Sequence, residues 1–440
     1  MPRTSLAYRT LLRLGVHLAP SLDRGAKAAE GHRGRTGAPG RLTAWARAAR
    51  DHGRPLVWFH ASSVGEGLQA ESVLLELRQL HPEAQYLYTH FSPSAEALAR
   101  RLPVDTADYL PYDLPTTIAP LLTELAPDLL VFAKLDLWPE LATRADASGT
   151  SVALVAGTVS PRSGRLRWPA RALLRAGYRS LAAAGAIARE DADRLARLGV
   201  PSERIRVLGD PRFDSVTAKV RAVTPEDPLL SLGGSGTLVA GSTWPPDEEV
   251  VLRAFAKVWR DMQGTRLILV PHEPTEAHLL EVERAAASLG LPAPVRLSSV
   301  AEPVPLLLVD RMGVLARLYG AGELAYVGGG YGTAGLHSVL EPAAWGLAVS
   351  FGPRWRESRD AGLLLAADAA LALPDNPERA AGRLADWWRA AMTDGAARRA
   401  AGGRAREVVE SGTGAARRSA ELLAELISSR RLRRSPSAAR

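Results

Sequence analysis

Val57-Trp58-Phe59-His60-Ala61-Ser62-Ser63-Val64-Gly65-Glu66-Gly67 is the stretch on which the reading of this chain turns. An apolar run stops at a histidine, small residues follow, and the amphipathic run Leu68 to Leu80 begins. That succession reads as a buried strand, a tight turn and a helix, with Glu66 at or near the first helical turn. In open α/β sheets, ligands sit beyond the carboxyl ends of the strands, where such turns lie. Two roles are open to a carboxylate there: a general base on a bound hydroxyl, or an acid that complements the helix dipole.

Strand-like runs alternate with helical patterns outward from this stretch in both directions, which predicts parallel sheets with crossover helices. The first-half strands are Leu56–His60, Ala84–Thr89, Asp105–Leu110, Leu129–Ala133, Val152–Ala156, Gly185–Ala188 and Ile205–Leu208, with helices such as Ser94–Arg101 and Asp191–Leu198 between them. Continuous apolar runs such as Leu129–Ala133 suit strands buried on both faces. A polar, Pro-, Gly- and Ser-rich stretch at 217–236 reads as a linker. The alternation then resumes through Thr237–Gly241, Leu267–Val270, Leu306–Val309, Leu324–Val327 and Leu347–Phe351, and the Ala- and Leu-rich tract 363–372 reads as a buried helix or strand. The expected architecture is α/β, with two doubly wound Rossmann-like domains facing a cleft. A basic amphipathic segment (1–40) precedes a first domain (41–216), and the linker leads to a second domain (237–428) and a basic tail (429–440).

The 440 residues are enough for two hydrophobic cores, and 46% hydrophobic against 23% charged residues is a globular balance. The absence of cysteine rules out disulfides, thiolate nucleophiles and Cys-ligated metal sites. A net charge of +8, carried mostly by arginine, favours anionic partners such as nucleic acid, phospholipid or phosphorylated substrates. Much of that charge sits at Arg33 to Arg41 and Arg430 to Arg434, where solvated ends are an equally good reading. No segment has the roughly 18 apolar residues that span a bilayer. Near the start, Leu6, Tyr8, Leu11, Leu12, Leu14, Val16 and Leu18 interleave with Arg3, Arg9 and Arg13. Such a helix either lies in a membrane interface or packs on its own domain. Nucleic-acid binding lacks the aromatic-plus-basic pattern of single-strand binders.

In the second half, Gly241-Ser242-Thr243 follows a strand and precedes Pro245-Pro246-Asp247-Glu248-Glu249, a helix start. Hydroxyls and N–H groups at a helix N-terminus suit a phosphate. Pro271-His272 ends the next strand, and Val327-Gly328-Gly329-Gly330-Tyr331-Gly332 forms a glycine-rich turn that lets backbone approach a phosphate. The spacing of His337 and Glu341 predicts that both share one helical face, the acid toward a ribose and the imidazole toward a phosphate.

Taken in order, these segments resemble the 3-deoxy-D-manno-octulosonic acid (Kdo) transferases. His60 to Glu66 resembles that family's H-A-x-S-V-G-E signature, Leu110-Pro111-Tyr112-Asp113 its L-P-Y-D segment, and Asp136-Leu137-Trp138-Pro139 its E-L-W-P segment. Gly209 to Asp214 is similar to its G-[DNS]-x-[KR]-F-D. Ala240 to Thr243, Val270-Pro271-His272, Met312-Gly313 and Gly328 to Pro342 resemble its CMP-side motifs. The matches run from about Trp58 to Gly352. The resemblance implies a B-type glycosyltransferase fold and inverting transfer of Kdo from CMP-Kdo to a lipid A precursor in lipopolysaccharide core biosynthesis. It implies a protein held peripherally or monotopically at the cytoplasmic face of the inner membrane, on an anionic surface, with no metal or other cofactor and no nucleic-acid partner.

By the same resemblance Glu66 is the general base, and His60, Ser63, Lys134 and Asp136 lie on the acceptor and sugar side. Arg212, Ser242, Thr243, Pro271, His272, Met312, Gly313, Gly329, Gly330, His337, Ser338 and Glu341 lie on the CMP side.

The chain departs from the family pattern in three places. Many members read E-x-E-L-W-P where this chain has Lys134-Leu135-Asp136-Leu137-Trp138, the usual asparagine after the motif histidine is Ser338, and Arg9 and Arg13 interrupt the N-terminal segment. These touch acceptor choice and membrane attachment more than the reaction. Another B-type glycosyltransferase, or a nucleotide-sugar epimerase, would share the two domains and the glycine turn without the ordered motifs. A non-catalytic membrane-surface or nucleic-acid-binding protein would use only the basic ends.

Overall fold

The computed structural model describes residues 4–22, 25–333 and 335–434. Arg3 and the last six residues of the expected basic tail lie outside the described residues, as do the side chains of Leu18 and of Arg431, Arg433 and Arg434. The chain divides into two units, Met1–Ser215 with Thr413–Arg440, and Val216–Gly412.

The first unit is built on seven parallel strands among the described residues: β1 (Leu56–His60), β2 (Gln85–His90), β3 (Thr106–Tyr109), β4 (Leu129–Ala133), β5 (Ser151–Gly157), β6 (Ala183–Ala186) and β7 (Ile205–Val207). Their order is β3-β2-β1-β4-β5-β6-β7. Alternate residues feed opposite layers, which is why these strands read as unbroken apolar runs. Leu56, Trp58, Leu130 and Phe132 pack in one layer with Leu42, Ile118 and Leu141. Val57, Phe59 and Val131 pack in the other with Val73, Leu74 and Leu77.

The ends of the chain depart from expectation. Residues 1–40 are no separate segment, because the helix Ala26–Ala49 buries Arg35, Ala38, Leu42 and Ala46 in the first unit. Arg35 lies over the Phe91 ring at 4.2 Å, and Arg41 is paired with Asp108 at 2.6 Å, so part of the basic cluster is committed internally. The helix Leu6–Leu22 is tied down by Tyr8, whose hydroxyl donates to Asp113 Oδ2 (2.7 Å), and by Arg9 to Glu140 (3.0 Å). At the other end, residues 413–428 fall in the first unit rather than the second. The helix Ala415–Arg434 inserts Ala416, Ala420, Leu423 and Ile427 into the core beneath the helix Val64–Leu80. Asp214 caps its start by accepting from the N–H groups of Gly414 (2.6 Å) and Ala416 (3.0 Å). Apolar residues at helical spacing must be buried somewhere, and the first sheet supplies the uncovered face.

The second unit has seven parallel strands among the described residues: β8 (Thr237–Thr243), β9 (Arg266–Pro271), β10 (Val295–Arg296), β11 (Leu306–Leu308), β12 (Leu324–Val327), β13 (Ala348–Phe351) and β14 (Ala370–Ala372). Their order is β10-β11-β9-β8-β12-β13-β14. The Ala- and Leu-rich tract divides into the end of the helix Arg359–Ala366 and β14. The expected linker is largely structured. Its first residues finish the helix Arg212–Arg221, and Leu229 and Leu232 pack into the core of the second unit.

Burial of the returning helix makes a stability prediction. Leu423→Ala removes a fully buried side chain and is expected to destabilise the first unit by about 2–4 kcal/mol. Urea unfolding followed by circular dichroism checks this, and an unchanged midpoint would mean that the helix does not hold that core.

Candidate functional site

In each sheet the chain order reverses once, between β1 and β4 in the first and between β8 and β12 in the second. Loops leaving two such neighbours diverge, and a crevice opens at the carboxyl ends of the strands.

In the first unit the two loops are His60–Ser63 and Lys134–Trp138. Ser63 is the N-cap of the helix Val64–Leu80 and Glu66 its third residue. The Ser63 N–H donates to Glu66 Oε2 at 2.9 Å, and the Ser63 hydroxyl donates to the same oxygen. This capping box fixes one carboxylate oxygen and leaves Oε1 facing Lys134 Nζ at 3.7 Å. Lys134 follows β4 directly at φ 61°, a left-handed conformation rare for a side-chain-bearing residue. Asp136 accepts from the Ser62 N–H at 3.2 Å, and its charge acts on Glu66. Burial raises the Glu66 carboxyl above the ordinary carboxylate range. The Ser63 hydrogen bond opposes that shift, the Asp136 charge adds to it, and Lys134 works against it.

Sequence reasoning passed over Arg165. Its Nη1 donates to the Leu135 carbonyl, and its Nη2 lies 3.9 Å from Asp136 Oδ1. Only its place in a Pro-, Ser- and Gly-containing turn marked it.

His60, expected on the acceptor side, is completely buried. Its Nε2 accepts from the Trp138 indole N–H (3.1 Å), so the ring proton is on Nδ1, facing the Thr89 carbonyl at 3.1 Å. Burial pushes its pKa down to about 3. It is a neutral strut that sets Trp138, which in turn stacks on Phe91 at 5.0 Å. The L-P-Y-D aspartate is structural as well: Asp113 accepts from the N–H groups of Glu140 (2.8 Å) and Leu141 (2.7 Å), capping the helix Pro139–Ala147.

In the second unit the loops after β8 and β12, joined by the one after β9, bring together Trp244, His272 and His337. The imidazoles stack at 4.4 Å, His272 lies 4.8 Å from the Trp244 ring, and the Trp244 indole N–H donates to His337 Nε2 at 3.1 Å. Burial, with the neighbouring His272, pushes the His337 pKa down to about 4. Without a ligand His337 is therefore neutral at pH 7, with Nδ1–H as its remaining donor. It does not share a helix with Glu341, because the helix begins at Leu340. The N–H of His337 donates to the Gly328 carbonyl (3.1 Å), and Gly335 stands at φ 85°, which keeps this approach out of helical geometry. Glu341 sits in the first turn and pairs with Lys219 at 3.3 Å.

The glycine turn folds around a carboxylate that sequence reasoning treated only as a helix start. Asp247 is fully buried and accepts from Gly329 N–H (2.9 Å), Trp244 N–H (3.1 Å) and the Tyr326 hydroxyl (2.7 Å). The Gly329 amide is thus committed inward rather than offered to a ligand. A side chain at Gly328 would collide with the Ser242 carbonyl, and one at Gly330 with the Gly352 backbone, so these glycines serve close packing. Ser242 is partly exposed at φ 54°, whereas Thr243 is buried and donates to Glu248 (2.9 Å). Pro271 is buried at the end of β9, and Met312, Gly313 and Ser338 are exposed. Arg212 belongs to the first unit, where Asp210 holds its guanidinium at 2.7 and 2.9 Å. No group of three or more His, Cys, Asp or Glu that could hold a metal occurs among the described residues.

Comparison with known proteins follows the same lines. Residues 35–215 match the family model of 3-deoxy-D-manno-octulosonic-acid transferase (kdotransferase). The 3-deoxy-D-manno-octulosonic acid transferase of Chlamydia muridarum is 31% identical over 313 residues, 68% of this chain and 70% of that one. The enzyme of the same name from Haemophilus influenzae is 26% identical over 308 residues, 67% of this chain and 70% of that one. Among solved structures, the UDP-GlcNAc 2-epimerase of Neisseria meningitidis bound to UDP-GlcNAc superposes with a TM-score of 0.58 at 12% identity, covering 86% of this chain and all of that one. That likeness shows the B-type two-domain fold.

The charges around Glu66 predict opposite shifts for two substitutions. Asp136→Asn removes the acid that pushes Glu66 up and is expected to lower its pKa. Lys134→Ala removes a cation and is expected to raise it. Carbon-13 NMR titration of the Glu66 carboxyl reads both, and shifts of the same sign would discount this electrostatic picture.

Proposed function

The chain belongs to the family of 3-deoxy-D-manno-octulosonic acid transferases, and from that premise we propose that it moves Kdo from CMP-Kdo to a lipid A precursor, releasing CMP with inversion at the anomeric carbon. The observation that carries the reading is the Glu66 carboxyl, raised by burial and presented by a helix N-terminus at the β1/β4 crevice. Glu66 Oε1 takes the proton of the acceptor hydroxyl as that oxygen attacks the anomeric carbon. The new C–O bond forms, the bond from that carbon to the CMP phosphate oxygen breaks, and CMP leaves with the electron pair. A base with a raised pKa is better matched to a hydroxyl proton near neutral pH than an ordinary carboxylate. Lys134 offers its ammonium to the carboxylate of the sugar acid, and Asp136 keeps Glu66 basic.

The donor is assigned to the second unit. The cytosine base packs against the rings of Trp244 and His272, and Glu341 takes the ribose hydroxyls. The phosphate meets Ser242 Oγ and the Nδ1–H of His337. No metal or other cofactor is invoked. Charge stabilisation of the leaving phosphate then rests on hydrogen-bond donors.

The acceptor is a lipid, so the first unit works at the anionic inner-membrane surface, at its cytoplasmic face. Leu6, Leu11 and Leu14 project from the N-terminal helix, each more than half exposed, and support interfacial attachment. No helix among the described residues is long and apolar enough to cross a membrane.

Incubation with CMP-Kdo generated in place and a lipid A precursor, with products weighed by mass spectrometry, tests the reaction. A product heavier than the acceptor by one or more Kdo residues is expected, and unchanged acceptor overturns the reading. Glu66→Gln is expected to retain CMP binding while turnover falls by roughly a hundredfold or more, and near-normal turnover would leave Glu66 as a helix cap only. His337→Ala and Glu341→Ala are each expected to weaken CMP binding by about 1–2 kcal/mol in calorimetry. Unchanged affinity in both would put the donor elsewhere.

A further inference from the structure

We propose that the segment 161–171, from which Trp168 projects just ahead of the helix Ala170–Arg179, is a second foot by which the first unit rests on an anionic phospholipid surface, separate from the N-terminal helix. The inference rests on the lipid-acceptor reading above, and it names a contact element which that reading does not require.

Trp168 is 83% exposed, the most exposed of the large apolar side chains among the described residues. An indole left in water is costly, because Trp is among the larger apolar surfaces a chain can bury. Arg167 and Arg171 on either side are exposed too. An amphipathic ring flanked by arginines is the composition that settles at the level of lipid headgroups, the ring among the acyl-chain ends and the guanidinium groups on phosphates. One ring between two cations does not make the successive stacking platforms that a single strand of nucleic acid needs.

The segment is anchored beside Trp168 while the indole itself is exposed. Leu166 is buried, and Arg165 donates to the Leu135 carbonyl beside Asp136. The N-terminal helix is anchored to the same stretch from the other side, through Arg9 to Glu140. The two elements thus grip opposite ends of Leu135–Glu140, the segment that carries Asp136.

The test uses the full chain, cosedimented with vesicles of phosphatidylglycerol and phosphatidylcholine, with phosphatidylcholine-only vesicles as a second arm. Trp168→Ala is expected to weaken binding to the anionic vesicles roughly tenfold, the contribution of one aromatic side chain. The double variant Arg167→Glu with Arg171→Glu is expected to weaken it at least as much. Both are expected to keep wild-type turnover on a detergent-dispersed acceptor. Quenching of wild-type fluorescence by brominated lipid, reduced in Trp168→Phe, would place the ring in the bilayer directly. Wild-type affinity in both loop variants would overturn the proposal and leave attachment to the N-terminal helix alone. Loop-dependent binding to a single-stranded oligonucleotide but not to vesicles would overturn it in favour of nucleic acid. Turnover of the dispersed acceptor by the wild-type chain tests the transferase reading separately from either result.

Discussion

Reversal of strand order in a parallel sheet is the constraint on which both sites depend. Right-handed crossovers force the chain to build outward from a starting strand, then return and build the other way. At the point of return, the loops after two hydrogen-bonded neighbours leave in opposite directions, and nothing of the backbone fills the gap between them. In the first sheet these neighbours are β1 and β4, and in the second β8 and β12. Glu66 comes from the first turn of the helix that follows one loop, and Lys134 and Asp136 from the other loop. Trp244 and His337 are divided in the same way. No sequence neighbour could supply these pairings, because each joins residues some 70 to 90 positions apart through a register that buried strands hold fixed.

Within the first site, magnitudes decide which charge governs Glu66. The Lys134 ammonium, at 3.7 Å and nearly half exposed, is screened by water and contributes at most about 1 kcal/mol. Burial and the neighbouring Asp136 act on a carboxyl whose own exposure is 16%, and they win, so its pKa rises despite the lysine. The lysine is nonetheless held at a backbone cost on the order of 1–3 kcal/mol by its left-handed conformation. Strain retained in a loop that faces a crevice is a mark of a side chain aimed for use, and it suits a cation kept for a charged substrate better than one serving only to neutralise Glu66.

The fold was legible because both sheets are buried on two faces, which turns their strands into continuous apolar runs between amphipathic helices. β10, with only Val295 and Arg296, carries no such run. The returning helix was missed for another reason: apolar spacing tells that a face is covered and never by what. The same limit explains the errors at the sites. His337 and Glu341 have helical spacing, but a left-handed Gly335 and a hydrogen bond to Gly328 keep His337 outside the helix. The glycine turn carries the composition of a phosphate loop, yet its interior is taken by Asp247, a residue whose position ahead of an apolar run marked it only as a helix-starting acid.

That substitution of an internal carboxylate for a bound anion recurs across the motifs. Asp113 caps the helix that follows Trp138, Asp214 caps the returning C-terminal helix, and Asp210 holds Arg212. In each case a motif acid satisfies backbone N–H groups or a guanidinium of its own unit, where an unpaired donor would be costly. Such motifs specify joints between segments distant in sequence, and the chemistry is left to the few groups with an atom unclaimed by the fold. Glu66 shows the division within one side chain: Oε2 belongs to the capping box, and Oε1 faces the crevice. The two roles that the sequence left open for this carboxylate are therefore compatible, since the cap that fixes one oxygen is what aims the other.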